Sequence, residues 1–562
     1  MEKFDYIIVG AGAAGCVLAN RLSQNPQTRV ALIEAGRDHN SRKAIVRIPL
    51  AMVTFMAPAL NFLGGGKFMQ WFETEPEKGL DNRRIALPRG RGTGGSTLVN
   101  GQIFIRGQRE DFDHWRNLGN ENWGYDDLLP YFRKLERFEP LINPSSDDCL
   151  PAKAERDAEP FVSELHGTTG EVNLAHMRSV NPLTHAFLES ARLAGHRFNP
   201  DFNGARQKGF GFYTFTQKGG ERVTAENAYI DPIRNRPNLC ILSGKSVRKI
   251  ILEGKRATGV IWQDAKGTIG QTHGSEIILS AGSFVSPHLL LLSGIGEKSH
   301  LKSHGIDVVH DLPGVGENLH DHLDVSLEYR SKTSAPYGAS WRALPRNIVH
   351  VAHWILRKRG LFSSTTAEGG AFLSTTGSNR PDIQLFFCTA MANTQHAGGF
   401  SRHGFIVHVC QLRPDSRGSL RLRSADPADK PLIRYNFLPN DTSTKVLRDG
   451  IRLARQIIFQ KPFVQHLGEE LAPGREAEED AALDDFIRRT AGTLFHPVGT
   501  CSMGTGSMSV VDPKTLRVHG VSGLRVVDAS VIPAIVSGNT VAATYALAEK
   551  AADNIIAEKG TP

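Results

Sequence analysis

Residues 4–15 read FDYIIVGAGAAG, and the reading of this stretch decides the fold. Residues 4–9 form a short, largely apolar run closed by glycine, the pattern of a buried parallel strand. Gly10, Gly12 and Gly15 then make GxGxxG, and residues 16–22 carry helical spacing. Residues 29–33 (RVALI) form a second short strand ending in Glu34 and Ala35, which completes a βαβ unit. Glu34 follows Gly15 by 19 residues, close to the spacing of a dinucleotide fingerprint. Gly10 and Gly12 permit a tight turn and close approach of a pyrophosphate to the backbone. At Ala13, Ala14 and Gly15 the helix start offers unpaired N–H groups and the positive end of its dipole. Glu34 suits ribose hydroxyls and disfavours NADP, which would call for a cation there. The motif by itself does not separate FAD from NAD.

Around this unit the chain is ordinary for a globular protein. Of its 562 residues 40% are hydrophobic and 22% charged, which argues against disorder and suggests two to four domains or one large two-part enzyme. The net charge of +8 is mild for this length, so no nucleic-acid partner is expected, although contact with anionic lipid is permitted. Six scattered cysteines without a CxxC exclude a disulfide framework and argue against a zinc ribbon or iron–sulfur cluster; no metal is expected. No run of about 18 apolar residues appears, and no signal peptide is recognised, so a cytoplasmic protein is expected, with peripheral contact to the inner membrane left open.

Further along, residues 120–138 read as an amphipathic helix and 140–165 as a polar surface loop. Strands are expected at 239–243, 246–252, 259–263 and 275–280, followed by a helix at 287–292. Between 323 and 484 longer alternating strands, such as 382–387 and 404–412, suggest an antiparallel sheet. Residues 524–527 return to a short strand, and 541–556 form a last helix. The class is α/β (α+β overall): a Rossmann-like cofactor domain from 1–155, 210–322 and 485–562, and a substrate domain from 156–209 and 323–484.

Two later segments sharpen the reading. Residues 90–101 (GRGTGGSTLVNG) and 282–296 (GSFVSPHLLLLSGIG), taken with the N-terminal unit, closely resemble the two signatures of the glucose–methanol–choline (GMC) oxidoreductases. Residues 314–319 with Asp321-His322, residues 496–500 (HPVGT) and residues 526–539 are also similar to that family. The resemblance runs in order along essentially the whole chain and looks closest to bacterial choline dehydrogenases and aliphatic alcohol dehydrogenases. It implies bound FAD, a Rossmann-like FAD domain and a substrate domain with a large antiparallel sheet. Thr93 stands where an aliphatic residue is usual. Val99 stands where some members carry a histidine joined covalently to the flavin, so FAD is expected to be non-covalent.

Oxidising an alcohol at a flavin requires a base for the hydroxyl proton and an acceptor for the hydride. The resemblance places the base at His496, whose direction Pro497 restrains, and Asn539 as the group that orients the alcohol. Asn539, Thr540 and Val541 open the last helix, and by the same resemblance that helix start faces the flavin. Asn100 and Gly101 are expected beside the isoalloxazine. Arg89, Gly92, Thr93, Gly95 and Ser96 belong to the first signature and its approach, and Ala281 and Gly282 to the second. Val247 matches an adenine contact, Asp528 and Ala529 a diphosphate and ribityl contact, and Trp71 a position near the dinucleotide.

The expected function is oxidation of primary alcohols, neutral aliphatic, aromatic or polyether, to aldehydes, with electrons passed to a quinone-like acceptor. A cytochrome or O2 is a further possible acceptor, O2 making the protein an oxidase. Choline dehydrogenase, a non-redox lyase and a photodecarboxylase of the same fold are the alternatives. For choline, no aromatic cage or carboxylate stands out in 323–484. Residues 46–66 are read as a channel lid. The apolar run 348–356 before Arg357-Lys358-Arg359 reads as a solvated helix face in preference to an interfacial helix on anionic membrane. His320, Asp321, His322 and Asp324 fit the family's structural motif better than a metal site.

Overall fold

The computed structural model describes residues 3–56, 65–139, 163–338, 343–391 and 403–560. Residues 57–64 of the expected lid and 140–162 of the expected surface loop lie outside them. Strand β1 (Lys3–Val9) leads into helix α1 (Ala13–Leu22) and returns to β2 (Val30–Glu34). After a long excursion come β3 (Gly209–Phe212), β4 (Leu239–Ser243), β5 (Lys245–Glu253), β6 (Arg256–Asp264), β7 (Ile269–Leu279) and α2 (Val285–Leu292). Then follow β8 (Leu323–Ser331), α3 (Leu344–Arg357), β9 (Ala367–Leu373), β10 (Ile383–Cys388) and β11 (Gly404–Gln411). Helix α4 (Asp441–Ile458), β12 (Leu467–Ala472), β13 (Gly492–Thr493), β14 (Leu524–Val526) and α5 (Val541–Gly560) complete the set that frames the site.

The first sheet has the order β4-β2-β1-β7-β6-β5, with β14 also on β7. Its β4, β2, β1, β7 and β14 are parallel; the Val, Ile and Leu runs of β2, β1, β14 and the end of β7 are buried on both faces, and the edge strand β4 is half-buried. Strands β5, β6 and the first half of β7 form an antiparallel extension. Helix α5 packs on α1. The buried Arg21 guanidinium ties the two, giving Nε to one Glu549 oxygen at 2.8 Å and Nη2 to the other at 2.7 Å. That clamp holds the last turn of α1 against the middle of α5.

The second sheet, β12-β8-β11-β10-β9-β3 with β13 on β8, is antiparallel as expected. It takes β3 and β13 from outside 323–484. Strand alternation gives it two unlike faces. Val325, Leu327 and Tyr329 of β8 enter the main core with Leu447 and Ile451 of α4. Asp324, Ser326 and Glu328, between them, face a cavity. The helix expected over 120–138 is shorter, Tyr125–Leu135, and Glu136–Glu139 is a strand paired with Val172–Ala175. The amphipathic period runs on through Glu136, but its buried carboxylate is drawn to Arg106 at 2.6 Å and His166 at 3.1 Å.

Candidate active site

A cavity of about 790 Å³ lies between the C-terminal ends of the parallel strands and the polar face of the second sheet. This is where open α/β sheets bind ligands. At the parallel end, Gly10 has φ 99°, and a Cβ on it would meet Ser280 O at 2.6 Å. A Cβ on Gly15 would lie 1.9 Å from Gly10 O. Both glycines are therefore demanded by the turn itself, and Gly15 packs behind the wall. Gly12 differs. Its φ of −77° suits any residue, and the nearest atom to its Cβ position is Ser280 O at 4.0 Å. Gly12 lines the cavity with Ala13 and Ala14, and α1 has no side-chain cap, so its first N–H groups are left for a ligand.

Glu34 and Ala35 line the same end. The Glu34 carboxylate accepts from Ala11 N at 2.9 Å, Gly36 N at 2.7 Å and Gly92 N at 3.0 Å. It thus ties the glycine turn, the end of β2 and the 90–95 loop together, and about one of its roughly four lone-pair positions is left over. Gly92 supports Glu34 from behind, Thr93 donates its N–H to Arg37 O at 3.0 Å, and neither lines the cavity. Gly95, Ser96, Asn100 and Gly101 do line it, as does Val99. Val247 on β5 and the Ala281-Gly282 turn after β7 form the next stretch of wall. Asp528 and Ala529 are there too, but both Asp528 oxygens are taken. One accepts from Gly282 N at 2.8 Å and Ser286 Oγ at 2.6 Å, the other from Ser530 N at 2.8 Å. Trp71 corrects the sequence reading. It packs among Phe55, Phe68, Leu98 and Val99, while its strand neighbours Gln70 and Phe72 reach the cavity.

At the far end His496 and Asn539 meet, with Nε2 3.2 Å from the Asn539 amide nitrogen. Thr540 and Val541 line the wall beside them. Three contacts aim the imidazole. Phe495, before it, is held at φ 66°, its N–H donating to Thr493 Oγ1 at 2.9 Å and its carbonyl accepting from Arg89 at 2.7 Å. A non-glycine residue in that region costs about 1–3 kcal/mol. The His496 N–H donates to Asp321 Oδ1 at 2.8 Å, an oxygen that also accepts from His322 N at 2.8 Å. The other Asp321 oxygen accepts from Thr493 at 2.5 Å and Tyr435 at 3.2 Å. Burial pushes Asp321 up to about 6, opposed by the Thr493 and His496 donors and Arg89.

The third contact sets the tautomer. His322 Nε2 lies 3.2 Å from Leu412 O, which only accepts, so that nitrogen carries the proton. His322 Nδ1 then accepts, and His496 Nδ1, 3.0 Å away, must donate to it. The lone pair of His496 is thereby left on Nε2, towards the cavity and Asn539. Burial, then His322, then Arg89 hold the His496 pKa well below its ordinary value, and burial pushes His322 down to about 4. Both rings are neutral at pH 7, so His496 is a ready base. His320 is spent on the backbone, its ring nitrogens paired with Asn318 O at 2.6 Å and Ile535 N at 2.9 Å.

Sequence reasoning missed the wall facing this base. Asp324, Ser326 and Glu328 on β8, His408 on β11 and Phe386 and Cys388 on β10 project into one space. Burial disfavours a charged His408, but Asp324 at 2.7 Å outweighs it, and the His408 pKa stands well above the ordinary value. The pair shares one proton and carries no net charge. The second Asp324 oxygen is buried without a partner. Two-residue spacing on three adjacent strands was the signal. Buried Arg222 was also missed. It donates to Asn100 O at 2.6 Å and Oδ1 at 2.8 Å, and burial pushes it down to about 9.

These residues fit a dinucleotide cofactor. A Cβ on Gly12 would fill open cavity, not protein, and the unpaired N–H groups of α1 stand at that point. At the other end the buried Asn539 Oδ1 has no partner, so a polar group is wanted there.

Comparison with known proteins agrees. The GMC oxidoreductase sequence profiles match residues 4–324 and 414–548. The chain is 39% identical to an alcohol dehydrogenase [acceptor] of Pseudomonas putida, covering 98% of this chain and 96% of that one. It is also 39% identical to an oxygen-dependent choline dehydrogenase of Escherichia coli, covering 100% and 97%. A solved variant of Aspergillus oryzae formate oxidase, described by its FAD modification, superposes with a TM-score of 0.88 at 27% identity, covering 100% and 99%. With matching sequence along its whole length, a matching fold and a cavity built from the two signatures, this chain belongs to the GMC oxidoreductases.

Proposed function

We propose that the protein is an FAD-dependent alcohol dehydrogenase that converts neutral primary alcohols to aldehydes and delivers the electrons to a quinone-like acceptor. The observation that carries this reading is the free Nε2 lone pair of His496 beside Asn539, in the same cavity as the N-terminus of α1. When bound, FAD supplies the two-electron acceptor for the hydrogen leaving the alcohol carbon as hydride. The chain's own part is proton transfer and positioning. The alcohol oxygen sits between His496 and Asn539, replacing the 3.2 Å contact between them. Asn539 N–H donates to that oxygen, and Nε2 takes the hydroxyl proton as C–O becomes C=O. His322, already donating to Leu412 O, keeps the other proton of His496 on Nδ1. The uncapped start of α1 and the Glu34-centred loop hold the dinucleotide, and Val99 has no atom able to bond it covalently. A cytoplasmic location with peripheral contact at the inner membrane suits a quinone-like acceptor.

The test is anaerobic mixing of the yellow protein with a panel of alcohols, followed by admission of air. Bleaching by primary alcohols with slow recovery in air is expected. Rapid recovery with peroxide would make it an oxidase, and no bleaching by any alcohol would sink the reading.

The Asp324–His408 pair bears on substrate charge. With its charge cancelled by His408, Asp324 offers a choline cation no net attraction, and this part of the wall favours an uncharged alcohol. His408→Asn removes the compensating cation and leaves a carboxylate facing the cavity. The ratio of kcat/KM for choline to that for a neutral alcohol of similar size is expected to rise about 10–100-fold, from one charge at short range in a partly solvated site. An unchanged ratio would show that the pair does not meet the substrate.

A further inference from the structure

Helix α3 (Leu344–Arg357) is turned the wrong way for a helix on a water-soluble surface. No residue of it is fully buried. Its polar side packs on the protein: Arg346 donates to Pro336 O at 2.9 Å, Asn347 to Gly338 O at 3.0 Å, and His350 meets the Tyr337 ring edge-on at 5.8 Å. Its apolar side faces out. Leu344, Ile348, Val349, Val351, Ile355 and Leu356 are 41–78% exposed. Among the described residues thirteen large hydrophobics are exposed, so nearly half of them lie on this one helix. Scattered apolar residues need no explanation, but a contiguous stripe does.

The charge beside the stripe is of one sign. From residue 329 to 367 the chain has no acidic residue. At the end of α3, Arg357 and Arg359 are exposed, and Lys358 stacks on Trp354 at 3.7 Å. Lys218 is exposed on the adjoining hairpin, where Arg178 donates to Gly219 O at 3.0 Å. The carboxylate within this group, Glu221, is already paired with Arg47 at 2.5 Å and Lys358 at 3.3 Å. An apolar face rimmed by cations is the pattern of a helix lying in a membrane surface. Among the described residues no helix is long and apolar enough to cross a membrane, so the contact is with one leaflet.

The helix also adjoins the cavity. The turn Leu361–Ser363 after α3 packs on Pro49–Ala51, and Leu50 joins Tyr337, Leu361 and Ala390 in one apolar cluster. Met52 and Val53, next in the chain, line the cavity wall, as does Ala390.

We propose that α3 docks in the surface of an anionic lipid bilayer, its apolar stripe among the acyl chains and the cations of its C-terminal end at the lipid phosphates. Resting on the alcohol-oxidising reading above, the contact sets the Leu50–Val53 side of the cavity next to the bilayer, from which a lipid-dissolved alcohol or acceptor would enter. This reverses the preference of the sequence for a solvated face. Periodicity shows that a helix has a stripe but not which side packs on the protein.

The test is flotation of the FAD-loaded full-length protein with vesicles of phosphatidylcholine alone or mixed with phosphatidylglycerol. Binding to the anionic vesicles is expected, weakened by salt, and about fivefold by Arg357→Gln, the share of one cation at an anionic surface. The double variants Ile348→Glu/Ile355→Glu and Ile348→Ser/Ile355→Ser are expected to lose binding and keep the wild-type rate of bleaching by a water-soluble alcohol. No wild-type flotation, or equal flotation by both double variants, would overturn the proposal. So would a dimer in solution that the same variants dissociate, which would assign the face to a second copy. Bleaching is read separately from flotation, so failure of the catalytic reading leaves the docking result standing.

Discussion

Replacing His496 with alanine is expected to slow anaerobic flavin reduction by alcohol about 10²–10⁴-fold, the usual share of a general base, while the protein still purifies yellow. The two results separate because of how the residue is held. The backbone N–H of residue 496 keeps its bond to Asp321, and Phe495 still donates its N–H to Thr493 and accepts from Arg89 at its carbonyl. What disappears is the Nε2 lone pair. The wild-type pH profile carries the same argument. Burial, His322 and Arg89 place the His496 pKa well below 6.5. The neutral base therefore persists as pH falls through 6.5, and its loss sets in only near the lowered pKa. The acid limb of kcat/KM is expected well below pH 6.5. A variant that bleaches at the wild-type rate would remove His496 from the mechanism, and a wild-type limb at or above pH 6.5 assigned to this ring would overturn its lowered pKa.

The parts of this site that the sequence exposes are local. GxGxxG between a strand and a helix, with Glu34 at the end of the next strand, lies within 34 residues and reads directly. The two-sheet architecture is legible from short apolar runs followed by long alternating ones. What sets the chemistry is not local. Asp321 reaches Thr493 and His496 across more than 170 positions, and His322 fixes the His496 tautomer across a similar gap. The Asp324–His408 pair exists because β8 and β11 are neighbours in register, Ser326 opposite His408. Trp71 was misplaced for the opposite reason. Its position in the chain is close to the cofactor loop, but strand alternation turns it into the Phe55–Val99 cluster.

Gly12→Val is expected to give a folded, colourless protein. The argument rests on what each glycine in the turn is for. Gly10 and Gly15 are required by the fold, since a Cβ would strike Ser280 O at 2.6 Å or Gly10 O at 1.9 Å. Valine at either position should cost stability before it affects a ligand. At Gly12 the backbone, with φ −77° and ψ −162°, accepts a side chain. The nearest protein atom to the new Cβ is 4.0 Å away. The valine methyls would therefore occupy cavity at the N-terminus of α1, where the dinucleotide phosphates must approach. Overpacking costs about 1–3 kcal/mol, and one lost hydrogen bond to a charged group about 1.5–3 kcal/mol more. The sum weakens FAD binding by about two to four orders of magnitude. Thermal unfolding of the Gly12→Val protein should match the wild-type apoprotein and no longer respond to added FAD, because a ligand that does not bind cannot stabilise the folded state. Gly15→Val should unfold at lower temperature with or without FAD. A yellow, stoichiometrically loaded Gly12→Val protein would mean that the open space beside Gly12 is not the phosphate cradle, and the cofactor would have to be placed elsewhere in the cavity.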